Sequence, residues 1–474
     1  MKRPILPSSV NRLRNGQAQQ RGAARLWVIA GLLIAAGMGF CYGFGAYHNR
    51  WFPYETIRGL AGDAQSDDTR NAQPGRWGYS IFESDGSEMD PEMEKHLASM
   101  GTAGYAPGYH AAPDDTGVMH HEAERVQGGL NLYTSGHAPE AILMDMDGQV
   151  MHRWRRSYDE IWDEAPPKDH GISDYFEYAH LMPNGDLIVI FDDVGVFRID
   201  KASNLIWANR VRGHHDLDVL ADGRIAVLTR HSARHDDLRE GKTVLEDFVT
   251  LLDPDSGRVL GEVSLVAALR KSPYAGVLHR VARQVDVLHA NTIELLDGRL
   301  ADRLPAFAAG RLLVGLRDAN LIGVLDLDRE SIVWANVDMG HGQHRPTALD
   351  NGHILVFDNL GPGKERSRVV EFDPVTGAVA WEYVGDSVNK LFSHYYGGSS
   401  RLANGNTLIV QSEAGRVFEV MANGRIVWDF LNPARAGDND DLIATIFHME
   451  RLGPDALRHW LDVGGGSAPA ADGN

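Results

Sequence analysis

The sequence predicts an all-β protein, a six-bladed β-propeller preceded by one N-terminal transmembrane helix. Two features point to the propeller: Asn-Gly or Asp-Gly turns recur between apolar runs, and tryptophan lies in the closing strand of most repeats. An uncharged stretch of 22 residues behind a basic N-terminus points to the membrane helix. Hydrophobic residues make up 43% of the chain, which is typical of a globular protein.

The first 47 residues have the pattern of a membrane anchor. Residues 1–25 form a basic tail that contains six Lys or Arg and no Asp or Glu, and residues 26–47 are long enough to cross a bilayer as a helix. Because the positive charges precede the span, we expect the N-terminus in the cytoplasm and the rest of the chain outside. The predicted location is the bacterial inner membrane, single-pass, with the propeller in the periplasm.

Two other interpretations of this segment are open. A cleaved signal peptide has a shorter apolar run and a small-x-small cleavage site, and no clear site follows Tyr47. A lipid anchor on Cys41 would follow Phe40, a bulky residue where a small one is expected. We therefore predict that the helix is retained.

Composition limits the class of partner. The formal net charge is −19 over 474 residues, which argues against nucleic acid because a polyanion would be repelled. Cys41 is the one cysteine, so no internal disulfide can form. Residues 48–127 show little periodicity and are predicted to be a linker, and residues 461–474 are predicted to be a flexible C-terminal tail.

A repeat occupies residues 128–460. Each unit has an apolar strand, a tight turn, a second apolar strand and then a further strand pair. The first turns are Asn184-Gly185, Asp222-Gly223, Asp297-Gly298, Asn351-Gly352 and Asn404-Gly405. These dipeptides favour hairpins, since both central residues of the turn need positive φ.

Tryptophan marks the closing strand of most units. Trp154, Trp207, Trp334, Trp381 and Trp428 are separated by 53, 127, 47 and 47 residues, and the longest interval holds a unit that closes without tryptophan on residues 259–263. Six units of roughly 50 residues with four strands each are typical of propeller blades. The first unit is one strand short, and residues 442–452 could supply that strand. A pair of β-sandwiches or an open repeat is the alternative.

Four segments of the repeat carry a family resemblance. They are residues 129–134 with 141–148 and 152–154, residues 286–293, residues 342–344 with 357–359 and 367–368, and residues 392–393 with 404–409 and 418–420. These segments resemble the bacterial arylsulfotransferase (ASST) family of six-bladed propellers, over about Gly128 to Trp460. The resemblance implies transfer of a sulfuryl group.

Six histidines precede the first turns, on or near the strands that are expected to line the central channel: His180, His214, His215, His289, His344 and His394. A lone histidine is usually a hydrogen-bonded structural residue, but several blades that each direct one into a channel indicate a shared site. A neutral imidazole is a competent nucleophile near neutral pH. Attack on the sulfur of an aryl sulfate would release a phenol, and a second phenol would then accept the group.

The resemblance implies roles for particular residues. His289 and His344 match the family's His-x-Asn-x-Ile strand and Gln-His segment, so they are expected catalytic residues that bind the sulfuryl oxygens or shuttle protons. His394 is the expected nucleophile from its position before the first turn of the last full blade, and His289 or His344 could hold that role instead. The family's arginine follows a Phe-Asp-Asn-Gly segment, whereas here the glycine after Asn359 is displaced, so Lys364, Arg366 or Arg368 must substitute. Arg366 is the expected catalytic arginine, and the expected substrate-binding residues are His215, Asn291, Asn359 and Arg368.

Two other functions are open. Imidazoles that face one channel could hold Zn²⁺ or Cu²⁺, although no tight ligand spacing favours it. A propeller could also be a non-catalytic periplasmic binding or assembly platform. The sequence has no Gly-rich phosphate cradle, which favours a simple aryl sulfate over a nucleotide donor. The prediction is an enzyme that uses no cofactor or metal, with an aryl sulfate, phenols and the membrane as partners.

Overall fold

The protein is a six-bladed β-propeller in the computed structural model, which describes residues 114–164, 174–337, 339–362, 366–436, 440, 442–453 and 460–461. Five four-stranded antiparallel sheets and one five-stranded antiparallel sheet form the six blades, so the predicted propeller is confirmed. The predicted membrane helix over residues 26–47 lies outside the described residues. Within the described residues, no helix combines the length and the apolar character needed to cross a membrane.

The strands are numbered in chain order. They are β1 (Gly117–His121), β2 (Leu130–Ser135), β3 (Glu140–Met144), β4 (Val150–Arg155), β5 (Tyr178–Leu181), β6 (Leu187–Phe191), β7 (Gly195–Ile199), β8 (Leu205–Asn209), β9 (Gly213–Val219), β10 (Ile225–Arg234), β11 (Thr243–Leu252), β12 (Val259–Ser264), β13 (Ala290–Leu295), β14 (Leu312–Leu316), β15 (Leu321–Asp326), β16 (Ser331–Asn336), β17 (His344–Ala348), β18 (Ile354–Asp358), β19 (Arg368–Phe372), β20 (Val379–Tyr383), β21 (Gly398–Arg401), β22 (Thr407–Gln411), β23 (Arg416–Val420), β24 (Ile426–Leu431), β25 (Arg435–Ala436), β26 (Leu442–Ile443) and β27 (Ile446–Leu452).

Each blade takes consecutive strands, with one exception. Blade 1 is β27 with β2–β4, blade 2 is β5–β8, blade 3 is β9–β12, blade 4 is β13–β16, blade 5 is β17–β20 and blade 6 is β21–β24, with β1 on its outer edge. The short strands β25 and β26 pair with each other. Helices α1 (Leu265–Arg270) and α2 (Leu278–Val281) lie between blades 3 and 4, and short 3₁₀ helices cover Tyr158–Glu160, Arg239–Gly241, Ala275–Val277, Pro305–Phe307 and Ser412–Ala414.

The ring closes between the two ends of the described chain. Strand β27 pairs antiparallel with β2, from Leu130 opposite Leu452 to Ser135 opposite Ile446. The prediction that the C-terminal run supplies the missing strand of blade 1 is therefore confirmed. Strand β1 pairs with β24, so contact with the propeller begins within residues 48–127, the segment that the sequence predicts to be a linker.

The hydrophobic core lies between neighbouring blades. The apolar faces of blades 2 and 3 meet through residues such as Ile188 and Val227, and those of blades 4 and 5 meet through Val324 and Val356. All four side chains are buried. Since each sheet covers its neighbour's face, no blade can bury its own apolar surface alone.

Four of the five recurring tryptophans join their blade to the next. Four indole N–H groups donate to turn carbonyls of the following blade: Trp154 to Gly185 at 3.0 Å, Trp207 to Pro254 at 2.9 Å, Trp381 to Ala422 at 2.9 Å and Trp428 to Met146 at 2.9 Å. A buried indole needs a partner for its N–H group, and these turns provide it. The periodic tryptophan in the sequence is thus a contact between blades.

Two equivalent glycines test this contact. Gly257 and Gly377 end Asp-Pro-x-x-Gly turns with φ of 67° and 72°, but an added Cβ would lie 2.3 Å from Cε3 of Trp207 only at Gly257, and Gly377 faces open space. We expect Gly377→Ala to lower the free energy of unfolding by about 1 kcal/mol through backbone strain. We expect Gly257→Ala to lower it by about 1–3 kcal/mol more, because Trp207 must move. Denaturant unfolding of both variants checks this, and equal losses would contradict it.

Candidate functional site

The innermost strands of the six blades, β5, β9, β13, β17, β21 and β27, line a central channel. The channel encloses a cavity of about 360 Å³. Residues two apart on one strand share this wall, such as Asp216 with Asp218 and Thr292 with Glu294, because alternate side chains of a strand face the same side. Each blade therefore presents a short column of side chains to the axis.

Three histidines meet at one end of these columns. The ring centroid of His215 lies 5.0 Å from that of His289 and 6.3 Å from that of His344. The ring of Tyr396 completes the group, at 5.7 Å from His215 and 6.3 Å from His344. We call His215, His289 and His344 the histidine cluster. Blades 3, 4 and 5 thus each bring one imidazole to the same place.

The backbone at the cluster is strained. His215, His289 and Arg345 have φ values of 58°, 48° and 49°, a region that side chains other than glycine rarely adopt. Irregular pairing accompanies each of them, for example where the β17–β18 register shifts between His344 and Thr347. Bulges re-aim side chains, and strain of this kind is concentrated at functional sites.

Asn359 fixes the orientation of the His344 ring. Its amide Nδ2 donates to the carbonyl oxygens of Ser393, Tyr395 and Tyr396 at 2.9, 2.8 and 2.8 Å. These three acceptors determine which end of the amide is nitrogen, so Oδ1 is the atom 2.8 Å from Nδ1 of His344. Asn359 therefore accepts a hydrogen bond from His344.

The tautomer of His344 follows from this contact. Nδ1 must carry the hydrogen, because its two neighbours, Asn359 Oδ1 and the Gly342 carbonyl at 3.1 Å, are both acceptors. Nε2 consequently carries the lone pair. Burial, together with the nearby Arg317, lowers the pKa of His344 to about 3, so the ring is neutral at neutral pH.

A buried ionic chain orients the second histidine of the cluster. Nδ1 of His289 lies 2.6 Å from Oδ2 of Asp286, whose carboxylate lies 3.9 Å from Nη1 of Arg230. Arg230 is itself fully buried and donates through Nε to Asp193 at 2.9 Å, with Asp192 at 3.5 Å. This ionic chain holds the His289 ring through Nδ1, so Nε2 is directed away from Asp286.

Two arginines stand near the cluster. Arg345 follows His344 directly, and its guanidinium lies 3.5 Å from Asp216 and 4.8 Å from the centre of the Tyr178 ring. Arg317 lowers the pKa of His344 through its charge and donates its backbone N–H to the His289 carbonyl at 3.1 Å. Each guanidinium also has a carboxylate partner, Asp216 for Arg345 and Asp318, at 2.6 Å, for Arg317.

Comparison with known proteins identifies the family. A family model described as arylsulfotransferase (ASST) matches residues 178–433, more than half of the 474-residue chain, and this span begins at β5 and covers blades 2 to 6. The chain belongs to the arylsulfotransferase (ASST) family. A comparison with curated proteins found no match.

Solved structures similar to this ASST-family chain are remote. A protein of unknown function from Bacteroides caccae shares 13% identity at a TM-score of 0.43 and covers 68% of this chain and 98% of its own. A streptogramin B lyase shares 11% identity at a TM-score of 0.40 and covers 73% of this chain and 98% of its own. BamB from Moraxella catarrhalis shares 13% identity at a TM-score of 0.33 and covers 72% of this chain and 96% of its own.

Four residues that the ASST resemblance singles out meet in the structure. His215, His289 and His344 form the cluster, and Asn359 holds His344. Asn291 lies beside them, where its Nδ2 donates to the Gln343 carbonyl at 2.7 Å. Asn291 thereby ties blade 4 to the residue that precedes His344.

The structure places the other predicted site residues elsewhere. The His394 ring packs 4.5 Å from Tyr395 and 6.2 Å from Phe392, outside the contacts that define the cluster. Arg366 is exposed in a separate surface cleft, and Arg368 pairs with Asp358 at 2.7 Å and Glu382 at 2.8 Å within blade 5. Lys364 lies outside the described residues. Sequence reasoning missed Arg345 and Arg317, although Arg345 adjoins His344 in the chain.

The described part of this ASST-family chain contains no group of three or more His, Cys, Asp or Glu with the geometry to hold a metal ion. The three rings of the histidine cluster do not form such a group. His289 contacts Asp286, and His344 contacts Asn359.

Carboxyl groups bridge the innermost strands, which are not paired with one another. Asp218 accepts the Leu295 N–H at 2.7 Å, and Glu294 accepts the Ala348 N–H at 2.9 Å. Burial raises the pKa of Glu294 to about 8 and that of Asp216 to about 6. The cavity below the cluster is therefore lined by acids that bind protons more tightly than usual.

The raised pKa of Glu294 predicts a loss of stability from pH 6.5 to 8. In this range folded Glu294 keeps a proton that the unfolded chain has lost, so raising the pH favours unfolding. Buried His344 acts in the opposite sense, and this effect fades as the pH rises above its ordinary pKa of 6.5. We expect the melting temperature to fall between pH 6.5 and 8 and Glu294→Gln to flatten the fall. Exposed Glu330→Gln is the control, and an unchanged slope in Glu294→Gln would contradict the assignment.

Proposed function

We propose that the protein is an arylsulfotransferase that moves a sulfuryl group from an aryl sulfate to a phenol, with His344 as the nucleophile. The observation that carries this proposal is the Asn359 contact, which leaves the lone pair of His344 on Nε2. The imidazole is neutral, so the lone pair is available at neutral pH. Family membership supports the class of reaction. The sequence predicts His394 as the nucleophile, and this proposal assigns that role to His344 instead.

The reaction has two half-reactions. Nε2 of His344 attacks the sulfur, so an N–S bond forms while the S–O bond to the first phenol breaks. A second phenol then attacks the sulfur, which forms a new S–O bond and restores the free imidazole. Negative charge spreads over the sulfuryl oxygens in both transition states, and Arg317, Arg345 and His289 supply cationic or hydrogen-bonding groups beside them.

Aromatic rings near the cluster suit a phenolic substrate. Phe447 on β27 lies 4.9 Å from Tyr396 in edge-to-face contact and 4.7 Å from Tyr175 in a stack. Tyr396 also contacts His215 and His344. An aryl ring can pack against this group while its sulfuryl end faces the imidazoles.

Phenol-dependent release of p-nitrophenol tests the proposed function. The full chain, purified in detergent, is given p-nitrophenyl sulfate with and without phenol. We expect release that requires phenol and a ping-pong dependence on the two substrates. Folded protein that releases nothing across a panel of aryl sulfates and phenols would contradict the proposal and favour the binding platform.

We further propose that residues 26–47 anchor the propeller in the inner membrane, with the propeller in the periplasm. The support is the sequence pattern of a basic tail followed by an uncharged span. The test is cell fractionation followed by alkaline extraction and protease treatment of spheroplasts. We expect the full chain to stay in the membrane and the propeller to be cleaved from outside. Release into the soluble fraction would contradict the anchor.

A further inference from the structure

Glu177 has a free oxygen atom next to the histidine cluster. The residue lies directly before β5 and is only 3% exposed. Its Oε2 accepts the backbone N–H of His215 at 2.7 Å. Its Oε1 lies 3.5 Å from Nδ1 of His215 and has no hydrogen-bond partner within the described residues. A buried polar atom without a partner is costly and needs an explanation.

The free oxygen and the nucleophile share one cavity. Glu177, His215, His344, Tyr396 and Phe447 are among the residues that line it. The space is about 10 Å³, room for about one water-sized group. A single substrate oxygen fits such a space, while the aryl ring lies outside against the aromatic side chains. Glu177 is thus placed where an oxygen bonded to the reacting sulfur would lie.

We propose that Glu177 is the acid–base catalyst of sulfuryl transfer. This inference rests on the proposed function. In the first half-reaction the carboxyl gives its proton to the phenolic oxygen as the S–O bond breaks, which leaves a neutral phenol and a carboxylate. In the second half-reaction the carboxylate takes the proton of the accepting phenol as the new S–O bond forms. The proton returns to Glu177, and each cycle balances.

The surroundings of Glu177 keep its proton in place before reaction. Burial, with the charge of Asp192 and Asp193, raises its pKa well above the ordinary value, while the His215 N–H and Arg230 oppose this rise. Arg345 also faces the carboxyl group. A neutral carboxylic acid can donate, and general acid–base catalysis contributes about 10²–10⁴-fold. His344 cannot serve as this acid, because its one N–H is held by Asn359.

Glu177→Gln is the variant that tests this role. Glutamine keeps an acceptor for the His215 N–H but has no transferable proton. We expect single-turnover release from phenyl sulfate to fall by at least about 100-fold, because a phenolate of pKa about 10 is a poor leaving group. Release from p-nitrophenyl sulfate should fall by less than about fivefold, because p-nitrophenolate leaves without a proton. The alkaline fall of the phenyl sulfate pH profile should disappear as well.

Glu246→Gln is the matched control. Glu246 is also only 3% exposed and also contacts a histidine, His235 at 2.6 Å, but it lies on β11 and lines neither the central cavity nor the cavity that contains His344. It should match the wild type with both donors. Equal losses with the two donors in folded Glu177→Gln would show a purely structural role, and no loss with either would also overturn the proposal. A wild-type protein that releases no phenol from either donor would overturn the proposed function, and this inference with it.

Discussion

His344→Ala is expected to abolish phenol-dependent release of p-nitrophenol, with kcat lowered by a factor on the order of 10³–10⁶. The variant removes the atom that forms the N–S bond, and no other imidazole of the cluster has the Asn359 contact that presents Nε2. Steady-state rates with saturating phenol give the measurement. His231→Ala is the control, because His231 is a half-exposed histidine on β10 that contacts Glu262 away from the channel.

His394→Ala separates the two assignments of the nucleophile. The ring of His394 packs on Tyr395 and Phe392 rather than in the cluster. We expect this variant to keep activity within about tenfold of the wild type, a change of about 1.4 kcal/mol in the barrier. An inactive, folded His394→Ala together with an active His344→Ala would return the role to His394.

Arg230→Met is expected to lower the free energy of unfolding by about 3–5 kcal/mol. The guanidinium is fully buried and lies within 4 Å of Asp192, Asp193 and Asp286, so its loss removes a shared positive charge from three buried carboxylates, of which Asp193 keeps Arg212. Denaturant unfolding gives the measurement. Exposed Arg299, which pairs with Asp297 on the surface, is the control, and Arg299→Met is expected to lower stability by less than about 1 kcal/mol.

A double variant checks the mechanism of this loss. Asp192→Asn removes a carboxylate that lies 3.5 Å from the Arg230 guanidinium, whereas Asp193 also pairs with Arg212. We expect Arg230→Met with Asp192→Asn to be more stable than Arg230→Met alone, because less uncompensated charge is buried. If the two substitutions add without coupling, the ionic chain does not explain the stability of this region.

The fold was predictable because its signals are local and periodic. The expectation that both central residues of these turns have positive φ is wrong, since Asn184 and Asn404 do not; the glycines alone do, with φ of 89° at Gly185 and 86° at Gly405. The turns are still recognisable in the sequence because a position with positive φ favours glycine. Tryptophan recurs because Trp154 and its equivalents bond to the next blade. The pairing of β27 with β2 was predictable because the first repeat unit is one strand short in the sequence.

The proposed nucleophile was harder to predict, and the spacing of the histidines explains why. His344 lies seven residues before Asn351, and His215 lies seven before Asp222, whereas His394 lies ten before Asn404. The equivalent position in blade 6 is Gly397, which adjoins Tyr396 in the cavity. Distance from the turn would have excluded His394, since the pleat fixes which residues of an innermost strand face the channel.

The positions of Arg345, Arg317 and Glu177 could not be predicted from the sequence, for a different reason. Arg345 reaches the channel because a bulge at the start of β17 re-aims its side chain, and a bulge leaves little trace in one sequence. In the sequence, nothing distinguishes Glu177 from any other acidic residue that precedes a strand. Its position depends on the neighbouring blade, where the His215 N–H meets its carboxyl group.

The most direct test of the central claim is to trap the covalent intermediate. The full chain is incubated with p-nitrophenyl sulfate without phenol, quenched, digested and analysed by mass spectrometry under conditions that preserve N-sulfuryl groups. We expect one added sulfuryl group on the peptide that contains His344, which disappears when phenol is added before the quench. A sulfuryl group on a peptide with His394, His289 or His215 instead, or turnover with no labelled peptide, would contradict His344 as the nucleophile.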